Sequence, residues 1–175
     1  MIDALDDPRR VDPPLVAGGR EMLEAWLEFH RVTLLLKCEG LTDEERKRRP
    51  VGSSSLSLHG LVRHMTDVER SWFQWTLRGS RPAELPPRYW RSEDSELDFV
   101  PLDGAVWEDD RRAWESECGA SREATGGLEL EHVTRSAGRD ARSLRWIYVH
   151  MIEEYARHNG HADLLREMID GAVGD

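Results

Sequence analysis

Cysteine is scarce: Cys38 and Cys118 are the only two in 175 residues. Two are too few for a disulfide framework, so free thiols in a reducing compartment are expected. No apolar run approaches the ~20 residues of a membrane span, and the N-terminus has no apolar signal core. A soluble, cytoplasmic protein without a membrane partner is the expectation. Positive charge is outweighed as well, with 24 Lys and Arg against 34 Asp and Glu and a formal charge of -10. That balance argues against a nucleic-acid partner, which would need net positive surface. A Ser-His-Asp triad, a phosphate loop and a dinucleotide fingerprint are all missing. So are internal repeats, low-complexity tracts and any clear pair of strands.

Helical periodicity fills most of what remains. Residues 1–19 carry Asp-Asp-Pro, Asp-Pro-Pro and Gly-Gly and read as an extended arm, with Leu15 and Val16 as its anchors. The length fits one domain, taken as residues 20–175. A first helix is predicted from Arg20 to Glu39, stopped by Gly40, with His30 at the core edge beside Trp26 and Leu34. Thr42-Asp43-Glu44-Glu45 predicts a capping box and a short helical turn before Pro50. A second helix, capped by Ser55 or Ser57, runs to about Arg78 with Leu58, Leu61, Met65, Val68, Trp72 and Trp75 inward. Ser80 to Asp103 is long and proline-rich, as suits a crossover along a bundle, with Tyr89, Trp90 and Phe99 as anchors or as the mouth of a pocket. A third helix is expected from Gly104 to about Ala124, with Val106, Trp107, Ala113, Trp114 and Cys118 inward. A connection from Leu128 to Gly138 leads to the fourth, Arg142 to Ile169, with Leu144, Ile147, Ile152, Leu164, Leu165 and Met168 in the core.

The stretch His150 to His161 carries the chemistry. At ~100° and ~1.5 Å per residue, His150, Glu154, His158 and His161 share one stripe of a helix. Glu154 and His158 stand one turn apart, as do the two histidines of H-E-x-x-H metal sites, with a carboxylate in place of one imidazole. The same spacing also suits a solvated i,i+4 pair worth a few tenths of a kcal/mol. The best third ligand is His64, on the inward face of the second helix.

Two stretches, Leu61-Val62-Arg63-His64-Met65-Thr66-Asp67-Val68-Glu69-Arg70-Ser71-Trp72-Phe73 and Glu153-Glu154-Tyr155-Ala156-Arg157-His158-Asn159-Gly160-His161-Ala162-Asp163-Leu164-Leu165-Arg166-Glu167, resemble the signatures of the DinB-like superfamily. More narrowly they resemble its actinobacterial branch. The resemblance spans roughly Arg20 to Ile169 and implies an all-α four-helix bundle, up-down-down-up, with a long crossover between helices 2 and 3. It also implies a divalent metal near one end. Most relatives use His-x-x-x-His on the fourth helix, whereas Glu154 stands first here, as in the His, Glu, His set of mycothiol-dependent maleylpyruvate isomerase. The resemblance therefore assigns His64, Glu154 and His158 as metal ligands. Zinc is the first expectation, with nickel and iron as alternatives. His161 stands where many relatives carry Gln and is taken as the catalytic base, with a fourth ligand or a partner that orients a ligand as its other roles. His150, two turns away, has no assigned part.

Relatives act with mycothiol, bacillithiol or glutathione. The implied function is a metal-dependent thiol S-transferase of the detoxification type, in which a low-molecular-weight thiol co-substrate is activated and added to a small electrophile. Two alternatives stand beside it: a non-catalytic metal-binding or dimeric stress-response bundle, and a metal-dependent hydrolase. A homodimer is compatible with each.

Overall fold

In the computed structural model, residues 7–91, 99–100, 102–134 and 140–173 are described. The first six residues of the expected arm, 92–98 and Pro101 of the long connection, and 135–139 of the next one lie outside that set. The described residues form five α-helices and no strand beyond isolated pairing such as the antiparallel bridge between Val133 and Ser143. The chain is all-α, as expected.

It divides into two compact units, residues 1–61 with 148–175 and residues 62–147. In the first, helix α1 (Gly19–Cys38) has Glu21 in its first turn and Lys37 in its last, each at the favourable end of the helix dipole. Gly40, at φ 74°, turns the chain away. Helix α2 (Asp43–Lys47) has the expected capping box, Thr42 accepting from the Glu45 amide while the Glu45 side chain accepts from Thr42. Helix α3 (Leu58–Glu69) starts in this unit, with the Ser57 hydroxyl accepting from the Gly60 amide at 3.0 Å. Most of helix α5 (Leu144–Asp170) packs here too.

The polar contacts of α1 with α5 rise together in sequence. Glu24 accepts from the Tyr148 hydroxyl at 3.0 Å, the His30 carbonyl accepts from Asn159 Nδ2 at 3.0 Å, and Lys37 pairs with Asp163 at 2.7 Å. The Glu39 carbonyl accepts from Arg166 at 2.7 Å. The two helices are therefore parallel. Leu27 and Leu34 of α1 and Met151, Tyr155, Ala162 and Leu165 of α5 are buried between such contacts.

Two expectations, covering four residues, are corrected in this unit. Leu15 and Val16 are 98% and 93% exposed and anchor nothing. Arg9 holds the arm instead, donating to both oxygens of Glu39 at 2.7 Å, and Arg10 lies over the Phe29 ring. Leu164 and Met168 are exposed, because the buried stripe of α5 passes through Tyr155, Ala162 and Leu165 and leaves Leu164 a full residue step off it.

The second unit holds the rest of α3, a π-helical continuation (Arg70–Leu77), helix α4 (Trp107–Thr125) and the first turn of α5. The wider turn shows in the Arg78 amide, which donates to the Phe73 carbonyl five residues back. It explains why Phe73 through Leu77 are buried in succession while Trp72 is only half-buried. Here too the helices are parallel: Arg63 reaches toward Asp110 and Arg70 pairs with Glu117. The connection between them descends beside α3, with the Leu85 carbonyl on Trp75 Nε1, the Pro86 carbonyl on Arg70, and Phe99 on His64. Helix α4 begins three residues later than expected. Gly104 sits in a turn at φ 77°, and Val106 is extended at the helix entry and exposed instead of inward.

Candidate functional site

The α5 face of the first unit brings four polar side chains into sequence. His150 Nε2 lies 3.4 Å from Glu154 Oε1, and Glu154 Oε2 lies 3.6 Å from His158 Nε2. His158 Nδ1 in turn lies 3.4 Å from His161 Nδ1. The helix alone explains this, since each pair is three or four residues apart. His158 is buried, and Glu154, His150 and His161 are half-buried. His150, Glu153 and Glu154 offer three ligand atoms within 4.8 Å of one another, a group that sequence reasoning did not assemble. Glu153 is also engaged by Arg157.

The contacts of His158 use its two nitrogens differently. Nε2 faces the Glu154 carboxylate and Nδ1 faces His161. A proton shared between the two Nδ1 atoms leaves the Nε2 lone pair of His158 available, which is how a neighbour fixes the tautomer of a ligating imidazole. One helix turn thus presents a carboxylate oxygen and an imidazole nitrogen side by side.

His64 belongs to the second unit. Its ring stacks on Phe99, with centroids 4.7 Å apart and planes 19° from parallel. It also lines a cavity of about 460 Å³. Trp72, Trp75 and Trp90 form aromatic walls of that cavity, with Pro82 and Pro87 between them. Of the three residues expected as anchors or as a pocket mouth, Trp90 lines the cavity, while Phe99 packs on His64 and Tyr89 is tied to Asp110.

What sequence reasoning missed is the charged core beneath that cavity. Asp67 is buried and accepts three successive backbone amides, from Arg88 at 2.7 Å, Tyr89 at 2.8 Å and Trp90 at 2.7 Å. The three N–H groups form a cradle for the carboxylate. Glu117, also buried, accepts from Arg70 at 2.5 Å and from Arg88 at 3.1 Å. Glu69 accepts from the Ser121 hydroxyl at 2.7 Å, with the Cys118 thiol 3.7 Å away. The Tyr89 hydroxyl donates to Asp110 at 2.6 Å, and burial followed by this contact pushes its pKa up. Asp67 was readable in part: it lies three residues after His64, on the same inward face.

Cys38 and Cys118 are buried and form no disulfide, and burial pushes the Cys38 thiol up to about 12. A thiol so protonated is inert near neutral pH. His30 is half-buried, as expected of a core-edge residue, and burial lowers its pKa. No helix among the described residues is long and apolar enough to cross a membrane.

Comparison with known proteins bears on what these parts are for. No curated protein matches the chain. A family model described as mycothiol S-transferase matches residues 22–171, from the first turns of α1 to just past the end of α5. The match takes in both stretches that carry His64, Glu154, His158 and His161. The chain belongs to the mycothiol S-transferase family, within the DinB-like superfamily.

Proposed function

We propose that the protein is a metal-dependent transferase that joins mycothiol, or a similar low-molecular-weight thiol, to an electrophilic small molecule. The family match over residues 22–171 carries this reading. We read residues 20–175 as one domain behind an N-terminal arm. In that reading the parallel pairs α1 with α5 and α3 with α4 assemble as an up-down-down-up bundle, and residues 78–106 are its crossover. The parallel order within each pair supports it: the first helix runs with the last, and the two middle ones run together.

In this proposal His64, Glu154 and His158 hold one divalent cation. Two imidazoles and a carboxylate suit zinc, with nickel or iron also compatible. The fit can be tested on Glu154 and His158. Two donors each ~2.0–2.1 Å from a tetrahedral ion stand about 3.3 Å apart, and these two stand at 3.6 Å. A bound divalent cation favours the thiolate of a coordinated thiol near neutral pH.

The protein's own residues do the rest. His161 orients His158 by accepting its Nδ1–H; acting instead as the base, it leaves this contact and takes the thiol proton on the freed Nδ1. The sulfur lone pair forms the S–C bond, and the leaving group departs with its bonding pair or, in a ring, stays attached and is protonated. The aromatic cavity beside His64 excludes water from the electrophile. We place the protein in the reducing cytoplasm, where such a thiol is available, and a homodimer is compatible with the reading.

The deciding experiment uses cobalt-substituted protein. Adding mycothiol should produce sulfur-to-metal charge-transfer absorption and raise the melting temperature. The metal-bearing protein should conjugate a bimane faster than buffer does, and His158→Ala should not. If no physiological thiol perturbs the cobalt spectrum and conjugation stays at background, the non-catalytic binding reading replaces this one.

A further inference from the structure

Asp67 lines the aromatic cavity of the second unit, yet its carboxylate is bound to the chain itself. The residue is 6% exposed, and its two oxygens are divided among three backbone amides. Oδ1 accepts from Arg88 at 2.7 Å, and Oδ2 accepts from Tyr89 at 2.8 Å and from Trp90 at 2.7 Å. Bonds to an ionised acceptor are about twice as strong as neutral ones. Asp67 therefore fixes three successive residues of the connection against α3. Two of the three have side-chain anchors as well, Arg88 on Glu117 at 3.1 Å and the Tyr89 hydroxyl on Asp110 at 2.6 Å. Among the described residues the Trp90 ring has no anchor of that kind, and Trp90 stays 39% exposed at the cavity. Its place depends on its backbone, and its backbone is held by Asp67.

The other two indoles of the cavity have contacts of their own. Trp75 donates its N–H to the Leu85 carbonyl at 2.8 Å, and Trp72 packs on Trp146 with centroids 5.3 Å apart. Three indoles and two prolines around about 460 Å³ suit an aromatic ring, which meets indoles by stacking or by edge contact. A wall that is placed before the ring arrives lowers the ordering cost of binding. We propose that Trp90 is a ligand-contacting wall of this cavity, which takes an aromatic ring, and that Asp67 is the positioning residue that holds Trp90 in place through its backbone. Calling that ligand the electrophile rests on the transferase reading; its binding does not.

Asp67→Asn is the informative change. Asn keeps the size and shape but has one carbonyl oxygen and one NH2 group, and whichever way it is turned the NH2 meets at least one amide N–H, donor against donor. Calorimetric titration of the full chain with 2-naphthalenemethanol would compare wild type, Trp90→Ala, Asp67→Asn and the double variant. Each single change should weaken binding about fivefold, the scale of one lost aromatic contact. The double variant should fall within about twofold of the weaker single, because Asp67 acts through Trp90. Losses that multiply, to about 25-fold, would mean that Asp67 supports binding by another route and would overturn its role. Wild-type affinity in either single variant, or no saturable binding to wild type up to about 1 mM, overturns the assignment. A second measurement needs no variant and serves if Asp67→Asn does not fold. Saturating wild type with the same compound should slow hydrogen exchange at the Tyr89 and Trp90 amides severalfold, since opening that segment would also withdraw the ring from the ligand. Unchanged exchange there overturns the coupling. In turnover, Asp67→Asn should raise KM for 1-chloro-2,4-dinitrobenzene about fivefold and leave KM for mycothiol and the metal content at wild-type values. Non-additive binding losses without any conjugation sink the transferase reading and leave the Asp67–Trp90 assignment standing. Conjugation with losses that multiply does the reverse.

Discussion

Glu117 and Glu154 are the same side chain on two helices, and each has nitrogen-bearing partners within reach. Glu117 is buried, and two guanidinium groups donate to it at 2.5 and 3.1 Å. Glu154 is half-buried, and its neighbours are two imidazoles at 3.4 and 3.6 Å. At the first set of distances the carboxylate is already solvated by protein. At the second the contacts are longer than good hydrogen bonds, which leaves space for the cation proposed above. A carboxylate locked by arginines positions its surroundings; one set among histidines at longer range keeps its lone pairs for the ligand role we propose.

The largest effect that separates the two is on stability. Glu117→Ala leaves Arg70 buried without its partner, and removing one member of a buried pair costs about 3–5 kcal/mol. Glu154→Ala, measured on metal-free protein, should cost less than about 1 kcal/mol, as for partly exposed pairs. Urea titrations of both variants check this. Equal losses would show that Glu154 is also structural and would break the contrast. In the metal-loaded state the order should invert for function, with Glu154→Ala losing the metal.

Asp67 sharpens the comparison from the other side. Asp67→Ala removes one acceptor from three amides. Charge-assisted bonds of this kind contribute about 1.5–3 kcal/mol each, but water can reach the released segment, so a total loss of about 2–3 kcal/mol is expected. Hydrogen exchange gives a sharper readout. The amides of Arg88, Tyr89 and Trp90 should lose protection together while those of α4 keep theirs. Loss of protection across the whole second unit would mean that Asp67 holds the helices and not the connection that carries Arg88 to Trp90.

How much of this was legible in the sequence follows the range of each interaction. The chain of contacts from His150 to His161 spans three or four residues per link, so helical period alone predicts it. The Thr42–Glu45 capping box is equally local and was read directly. Glu117 and Arg70 are 47 residues apart, and nothing in either neighbourhood marks the acid as buried. The π-helical stretch was invisible for a related reason. Arg70 to Leu77 keeps the composition of an α-helix, and only the packing of Phe73 through Leu77 reveals the wider turn. Leu164 was misread because apolar identity was taken for burial, although exposed leucines are ordinary.

Thr42→Ala tests the local end of that range. Both halves of the capping box are exposed. Losing it should cost about 1 kcal/mol, the usual figure for a cap. A loss above about 2 kcal/mol would mean that α2 does more than turn the chain.

The smallest predicted effect concerns His30, whose surroundings lie between those of the two glutamates. It is half-buried, with the Trp26 and Phe29 rings on its own helix and Asn159 of α5 near Nδ1 at 3.3 Å. No carboxylate faces it in these contacts, so burial alone acts, and it lowers the pKa from the ordinary 6.5. The sign follows from linkage. Above about 6.5 the ring is neutral in both folded and unfolded chains, and pH has no effect through it. As pH falls below that value the unfolded chain takes up the proton first. Stability then declines until the pH passes the folded pKa, beyond which both states are protonated and the loss is complete. Other histidines titrate in the same range, so the informative quantity is a difference. Unfolding free energies of wild type and His30→Gln, measured from pH 7.5 down to 4.5, should diverge in slope below about pH 6.5, with the wild type the steeper. Parallel slopes would mean that water reaches the ring freely, and His30 would then belong with Glu154 as an open site and not with the closed core.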